Sequence, residues 1–228
     1  MSNFDPGKML SFDLETTGID PYNTRIVTSS LISINGSQVD TWDALADPGV
    51  EIPKEASDVH GITTEHARAN GRPHDKVLEA TITRIREGWA NGQTLIVYNA
   101  AYDLTVLAAL DPNFRVEGPV FDPYIIDRIQ EPRRPGNRRL STLCEIYGIT
   151  LDNAHNSTAD SLAAARVAWF QAQKYPELVQ MSTDELMEFQ AVGYDKAQRS
   201  LKAYFERERP ERAQSVALQW PIAEKLSQ

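Results

Sequence analysis

The sequence predicts an α/β fold: a central mixed sheet of five strands flanked by helices, followed by a C-terminal helical appendage. Three observations lead there. β-rich stretches crowd the first 45 residues around a hairpin dipeptide, and helical-period segments then alternate with short apolar runs. Beyond Tyr175-Pro176 the pattern turns to a charge-rich helix. Strands first and alternation afterwards make a sandwich whose sheet holds parallel and antiparallel pairs.

Residues 8–13 alternate, with Leu10 and Phe12 toward one face and Ser11 and Asp13 toward the other, the period of a half-buried strand. Thr16-Thr17-Gly18 turns the chain. Residues 25–34 and 38–45 are β-rich and separated by Asn35-Gly36, which predicts an antiparallel meander. Residues 47–72 are rich in Pro, Gly and polar side chains, with short helical pieces at most. Residues 75–90 place Val77, Leu78, Ile82, Ile85 and Trp89 at helical spacing, and Gly92 stops that helix. Residues 94–98 are continuously apolar, the pattern of a strand covered on both faces. Asn99 is placed to cap the next helix, whose core face is Leu104, Leu107 and Ala108. Val120-Phe121 is a short strand, and helices are expected over 123–129, 140–147 and 157–173. Residues 1–175 form the main domain. Residues 176–228 form an extension with a capping box at Ser182 and Glu185 and a charged helix over about 194–209.

Composition narrows the class. A chain of 228 residues accommodates one domain plus an appendage, and 41% hydrophobic with 24% charged residues excludes a disordered or fibrous chain. The single cysteine, Cys144, excludes a disulfide scaffold and a Cys-based zinc cluster and fits a reducing cytosol. The longest apolar runs, 95–98 and 106–110, fall far short of the ~20 residues that span a bilayer. The opening residues lack the apolar stretch of a signal peptide, so a cytoplasmic location without membrane contact is expected. A net charge of −9 argues against coating nucleic acid along the whole surface. It leaves room for a strand end gripped at a metal site, where cations supply the positive charge.

Asp13 and Glu15 stand two apart on a strand and so project from one face. Held that close, two carboxylates repel, and one takes up a proton unless a divalent cation intervenes. Hard oxygen ligands of this kind select Mg²⁺ or Mn²⁺. Alone, the pair is equally compatible with two solvated acids at a strand edge. Asp103 falls in the first turn of a helix directly after a buried strand, where ligands collect in α/β sheets, although an acid there also complements the helix dipole. Asp160 lies in the first turn of the longest helix, three residues after Ser157, and also reads as a capping partner. His155 precedes it in a polar stretch.

Taken together, Phe12-Asp13-Leu14-Glu15-Thr16-Thr17-Gly18, Asn99-Ala-Ala-Tyr-Asp103 and His155-Asn-Ser-Thr-Ala-Asp160 resemble the three motifs of the DEDDh (DnaQ-like) 3′→5′ exonucleases. That family includes the proofreading ε subunit of bacterial DNA polymerase III. The resemblance covers about residues 8–175, and every acidic position and the histidine are present in order. Tyr98 stands where many members have histidine, and Ser157 and Thr158 stand where small or aliphatic residues are frequent.

The resemblance implies a ribonuclease H-like fold and a two-metal hydrolysis of the 3′-terminal phosphodiester. Asp13, Glu15, Asp103 and Asp160 would hold two Mg²⁺ or Mn²⁺ ions with Asp13 bridging. His155 would take the proton from the attacking water, and the product would be a 5′ mononucleotide. Leu14, Thr16, His60, Asn99 and Tyr102 are the expected substrate contacts, His60 within a Val59-His60-Gly61-Ile62-Thr63 segment. Leu14 reads equally as core packing. Arg133, Arg134, Arg138 and Arg139 offer phosphate contacts, or simply a solvated loop. The expected partner is the 3′ end of single-stranded nucleic acid, DNA favoured over RNA, for proofreading or repair. An oligoribonuclease and a polymerase-associated adaptor are the competing readings. Leu186, Phe189, Leu201, Tyr204, Phe205 and Trp220-Pro221 either dock a DNA polymerase or pack on their own domain.

Overall fold

The computed structural model describes residues 2–151 and 155–225. The meander forms as the pattern predicts: β1 (Lys8–Thr16), β2 (Ile26–Asn35) and β3 (Gln38–Asp47) pair antiparallel, with the β2–β3 turn at Gly36 in the left-handed region. Beyond β1, β5 (Thr94–Ile96) and β6 (Val120–Phe121) add in parallel. A sixth strand, β4 (Arg72–Pro73), pairs parallel to the outer edge of β3, so the sheet runs β4-β3-β2-β1-β5-β6 rather than stopping at five. Two residues ending in proline carry no alternation, and Pro fits an edge strand because it donates no ladder hydrogen bond.

The Pro- and Gly-rich stretch between β3 and β4 holds two short helices, α1 (Lys54–His60) and α2 (Thr64–Asn70). On one face of the sheet, Leu10, Phe12 and Leu14 of β1 meet Val77, Leu78, Ile82 and Ile85 of α3 (His74–Ala90) and Leu104 and Leu107 of α4 (Ala100–Leu110). On the other, Met9, Ile96 and Phe121 meet Ile126 of α5 (Pro123–Gln130) and Ala164, Ala165, Ala168 and Ala172 of α7 (Ser157–Lys174). Thus Leu95 and Ile96 enter opposite clusters, which is why β5 is continuously apolar. α6 (Leu140–Tyr147) packs Leu143 and Cys144 against Ala163 and Val167 of α7.

The C-terminal region folds onto the same sheet. After the single-turn α8 (Glu177–Gln180), the Ser182–Glu185 capping box opens one helix of 26 residues, α9 (Thr183–Glu208), well before the charged segment. Leu186 and Tyr194 are buried, Gln190 binds the backbone of Val120 and Asp122 at the end of β6, and Gly193 lies so close to Ile129 that any Cβ would collide with it. A last turn, α10 (Pro210–Ala213), leads into an irregular segment that buries Val216 and Trp220. Leu186 and Trp220 therefore serve the chain's own core, whereas Tyr204 is 45% exposed. Among the described residues no helix is long and apolar enough to cross a membrane.

Candidate active site

β1 alternates across the sheet, so the same geometry that buries Phe12 and Leu14 sends Asp13 and Glu15 to the α7 side. One carboxylate oxygen each from Asp13, Glu15 and Asp160 lie within 4.8 Å of one another. Asp160 is brought in by the seating of α7 on β2. Across the β1–β2 ladder, Asp13 pairs with Ser30 and Glu15 with Thr28. The Ser157 hydroxyl, at the start of α7, lies 2.8 Å from that of Ser30 and 3.0 Å from that of Thr28. Thr158 adds a 2.8 Å contact to Ser30, and Ser11 donates to the Ser161 carbonyl at 2.6 Å. This hydroxyl clamp occupies the positions where the family pattern has small or aliphatic residues. The N-cap of α7 is Asn156, accepting from Ala159 N, so Ser157 is free for the clamp and Asp160 does not cap it.

Asp103 is not in the triad of converging oxygens among the described residues. Its Oδ1 accepts the Leu14 backbone N–H at 3.1 Å, which ties the first turn of α4 to β1 between Asp13 and Glu15. α4 is capped in an unexpected way. Asn99 sits at the N-cap in the left-handed region (φ 63°) and its side chain caps nothing. Asp122, buried at the end of β6, accepts from the backbone N–H of Asn99 and of Ala100, each at 2.9 Å. An ionised acceptor makes the stronger cap, and it reaches α4 because β6 neighbours β5. The segment Asp122-Pro123 carried a readable signal, an N-cap acid before proline at N1, but only for its own helix.

The electrostatics follow from this crowding. Burial, then the charges of Asp103, Glu15 and Asp160, hold the Asp13 carboxyl well above the ordinary carboxylate range. Burial, then Asp160 and Asp103, push Glu15 up to about 8. Burial takes Asp103 to about 7 against the opposing Leu14 hydrogen bond. Asp160 is also raised by burial, and the His155 backbone N–H, 3.0 Å from its Oδ2, works in the opposite direction. Clustered carboxyls that retain protons when alone are the donor set a hard divalent cation relieves. The residues therefore fit such a metal.

His155 is exposed and left-handed (φ 68°), adjoining the α7 terminus. Among the expected substrate contacts, Thr16 and Tyr102 are joined: their hydroxyls lie 2.5 Å apart and both reach the Gly18 carbonyl. His60 ends α1; its Nδ1 accepts Ile62 N at 3.2 Å, and among the described residues its buried Nε2 meets no hydrogen-bond partner of good geometry. Burial lowers its pKa, opposed by the backbone of Thr16. Leu14 packs in the main core at 6% exposure, and Asn99 is exposed.

The basic loop divides. Arg134 meets the buried Asp127 through two nitrogens at 2.7 and 3.2 Å, and Arg138 binds the same carboxylate. These two are structural ion pairs, which corrects the reading of four equivalent phosphate contacts; Arg133 and Arg139 remain exposed. A cavity of about 940 Å³ between α5, α8 and α9, bordered by Ile129, Met181 and Phe189, is lined by none of Asp13, Glu15, Asp103 and Asp160.

Comparison with known proteins places this geometry. The RNase T exonuclease family model matches residues 10–168. The PolC-type DNA polymerase III of Listeria monocytogenes is 30% identical over 162 residues, covering 69% of this chain and 11% of that protein. The chain thus spans about a tenth of the length of such polymerase relatives. Exonuclease I of E. coli, solved with a dT13 oligonucleotide, shares the fold at a TM-score of 0.61 with 23% identity, over 78% of this chain and 42% of that one. A 3′-exonuclease solved in recognition of a histone mRNA stem-loop aligns at 0.60 with 17% identity, over 77% and 67%. With the family match running from the strand of Asp13 to the helix of Asp160, the chain belongs to the DnaQ-like 3′→5′ exonuclease family.

Proposed function

We propose that this protein hydrolyses the 3′-terminal phosphodiester of single-stranded DNA and releases 5′ mononucleotides, with Asp13, Glu15, Asp103 and Asp160 as ligands of two Mg²⁺ or Mn²⁺ ions. The observation that carries the reading is the convergence of Asp13, Glu15 and Asp160 oxygens within 4.8 Å, inside the family match. When bound, divalent cations supply charge against the anionic phosphodiester and the departing 3′ oxygen. Within the chain, β1 and α7 fix the carboxylates, and Asp103 holds α4 against the Leu14 amide. An imidazole nitrogen of the solvent-facing His155 takes the proton of the attacking water as the new P–O bond forms and the bond to O3′ breaks. Thr16, Tyr102, Leu14, Asn99 and the His60 imidazole border the terminal nucleotide.

DNA is favoured because the PolC-type relatives and the exonuclease I complex concern DNA. The histone mRNA neighbour supports RNA as the second reading. A polymerase partner is proposed from the PolC relatives alone, with Tyr204 and Val192 as the exposed apolar candidates on α9. The test is stepwise shortening from the 3′ end of 5′-labelled DNA and RNA of one sequence in Mg²⁺, Mn²⁺ or chelator. Asp13→Ala should abolish metal-dependent release; equal activity in chelator would overturn the reading.

A further inference from the structure

Residues 214–225 follow α10 without regular secondary structure, yet they return to the two segments that border the carboxylates. The Trp220 side chain is buried in the main core cluster, and its Nε1 donates to Asp122 Oδ2 at 3.4 Å. Asp122 is the carboxylate that caps the entry to α4, four residues before Asp103. Ala223 N donates to Thr105 Oγ1 at 2.8 Å, and Thr105 in turn donates to the Ala101 carbonyl on α4. The Ala223 carbonyl accepts from Tyr22 OH at 2.5 Å, and Lys225 lies 5.7 Å from the Tyr22 ring. Tyr22 belongs to the loop that leaves β1 after Glu15. Gln198 of α9 holds the strap from behind through the Ala217 carbonyl.

We infer that the C-terminal strap is a positioning element of the active site, with Trp220 and Ala223 locking α4 and the loop after β1 in the register that lets Asp103 engage the Leu14 amide. The chain of contact is short: strap to Asp122 and Thr105, these to α4, and Asp103 of α4 to the backbone between Asp13 and Glu15. The strap residues themselves touch no reacting atom. Groups that hydrogen-bond a metal ligand directly govern metal affinity by about 10–100-fold, and the strap acts one contact further out, through the backbone of α4, so its effect is a smaller one of a few-fold. The inference rests on the metal-dependent reading above for its effect on cation affinity, while its structural half stands on the contacts alone.

The test uses the full-length chain with Trp220→Ala and, as a milder variant that retains volume, Thr105→Val, which removes the acceptor of Ala223 N. Hydrogen exchange is measured without metal on peptides containing Leu14 and residues 99–105, and Mn²⁺ binding is measured by electron paramagnetic resonance. Faster exchange at both segments, with Mn²⁺ dissociation constants raised by about threefold or more, short of the roughly 10–100-fold of a direct ligand partner, is the expected result. Unchanged exchange in a folded Thr105→Val protein overturns the inference whatever the metal does. Faster exchange with unchanged Mn²⁺ affinity confines the strap to stability and overturns its role at the site. A wild-type protein that binds no Mn²⁺ defeats both the metal-dependent reading and the strap's claimed influence on it.

Discussion

Replacing Glu15 by Gln should make the metal-free protein more stable while removing its response to metal. The Glu15 carboxyl is pushed from 4.5 to about 8 by burial and by Asp160 and Asp103. The folded state therefore binds a proton more tightly than the unfolded chain does. Stability from this group is fully present below about pH 4.5 and is lost progressively as pH rises toward about 8. At about 1.4 kcal/mol per pH unit the rise has a ceiling of about 5 kcal/mol. Because Glu15 is only partly buried, solvent screening reduces this to about 2–3 kcal/mol. For a chain of this size that is a Tm gain of about 4–12 °C in chelator at pH 8.5. Loss of the Glu15 charge also relieves Asp13, which acts in the same direction. Differential scanning calorimetry at pH 8.5 and 5.5, with and without Mn²⁺, checks the reasoning. The gain should shrink to less than half at pH 5.5, and Mn²⁺ should raise the wild-type Tm far more than that of the variant. A Glu15→Gln protein no more stable than wild type at pH 8.5, or a gain independent of pH, would refute it.

Other expectations follow from single contacts. His155→Ala should lower the hydrolysis rate by about 10²–10⁴ with an unchanged Tm, and turnover within a few-fold of wild type would remove His155 as the base. Ser157→Ala takes the Ser157 contact from Thr28 while Ser30 keeps Thr158, and should cost about 1 kcal/mol in urea unfolding, with weaker Mn²⁺ binding that Ser157→Thr partly restores. Asp127→Asn strips the counter-charge from two largely buried guanidinium groups. It should cost about 3–5 kcal/mol, and a loss below about 1 kcal/mol would show those pairs to be incidental.

What could be read in advance was what local periodicity and short spacing encode. The alternation of β1 put Asp13 and Ser11 on the face opposite Leu10 and Phe12, and the structure keeps that division through to the α7 contacts. Asp103 and Asp160 were legible because each stands in a first helical turn after a recognisable boundary. The remainder depends on contacts between distant segments, which no window of sequence contains. Asn99 carries every local mark of a cap, but the left-handed backbone and the competing carboxylate of Asp122 from the adjacent strand take that role away. Arg134 and Arg138 look like free charge until Asp127 is found beneath them. β4 is too short to have a period, and the capping box at Ser182 announced a helix whose length the mixed polar surface of α9 obscured.

The alanines along the inner side of α7 set how closely that helix can approach the sheet, near enough for Ser11 to reach the Ser161 carbonyl. A rod seated so tightly has no slack: enlarging Ala164 or Ala165 by two methyl groups lifts the whole rod, and its leading end carries Asp160. Drift at these inconspicuous positions would thus register as altered cation demand about one helical turn from where it occurred, and a survey of tolerated substitutions should find them as restricted as the acids themselves.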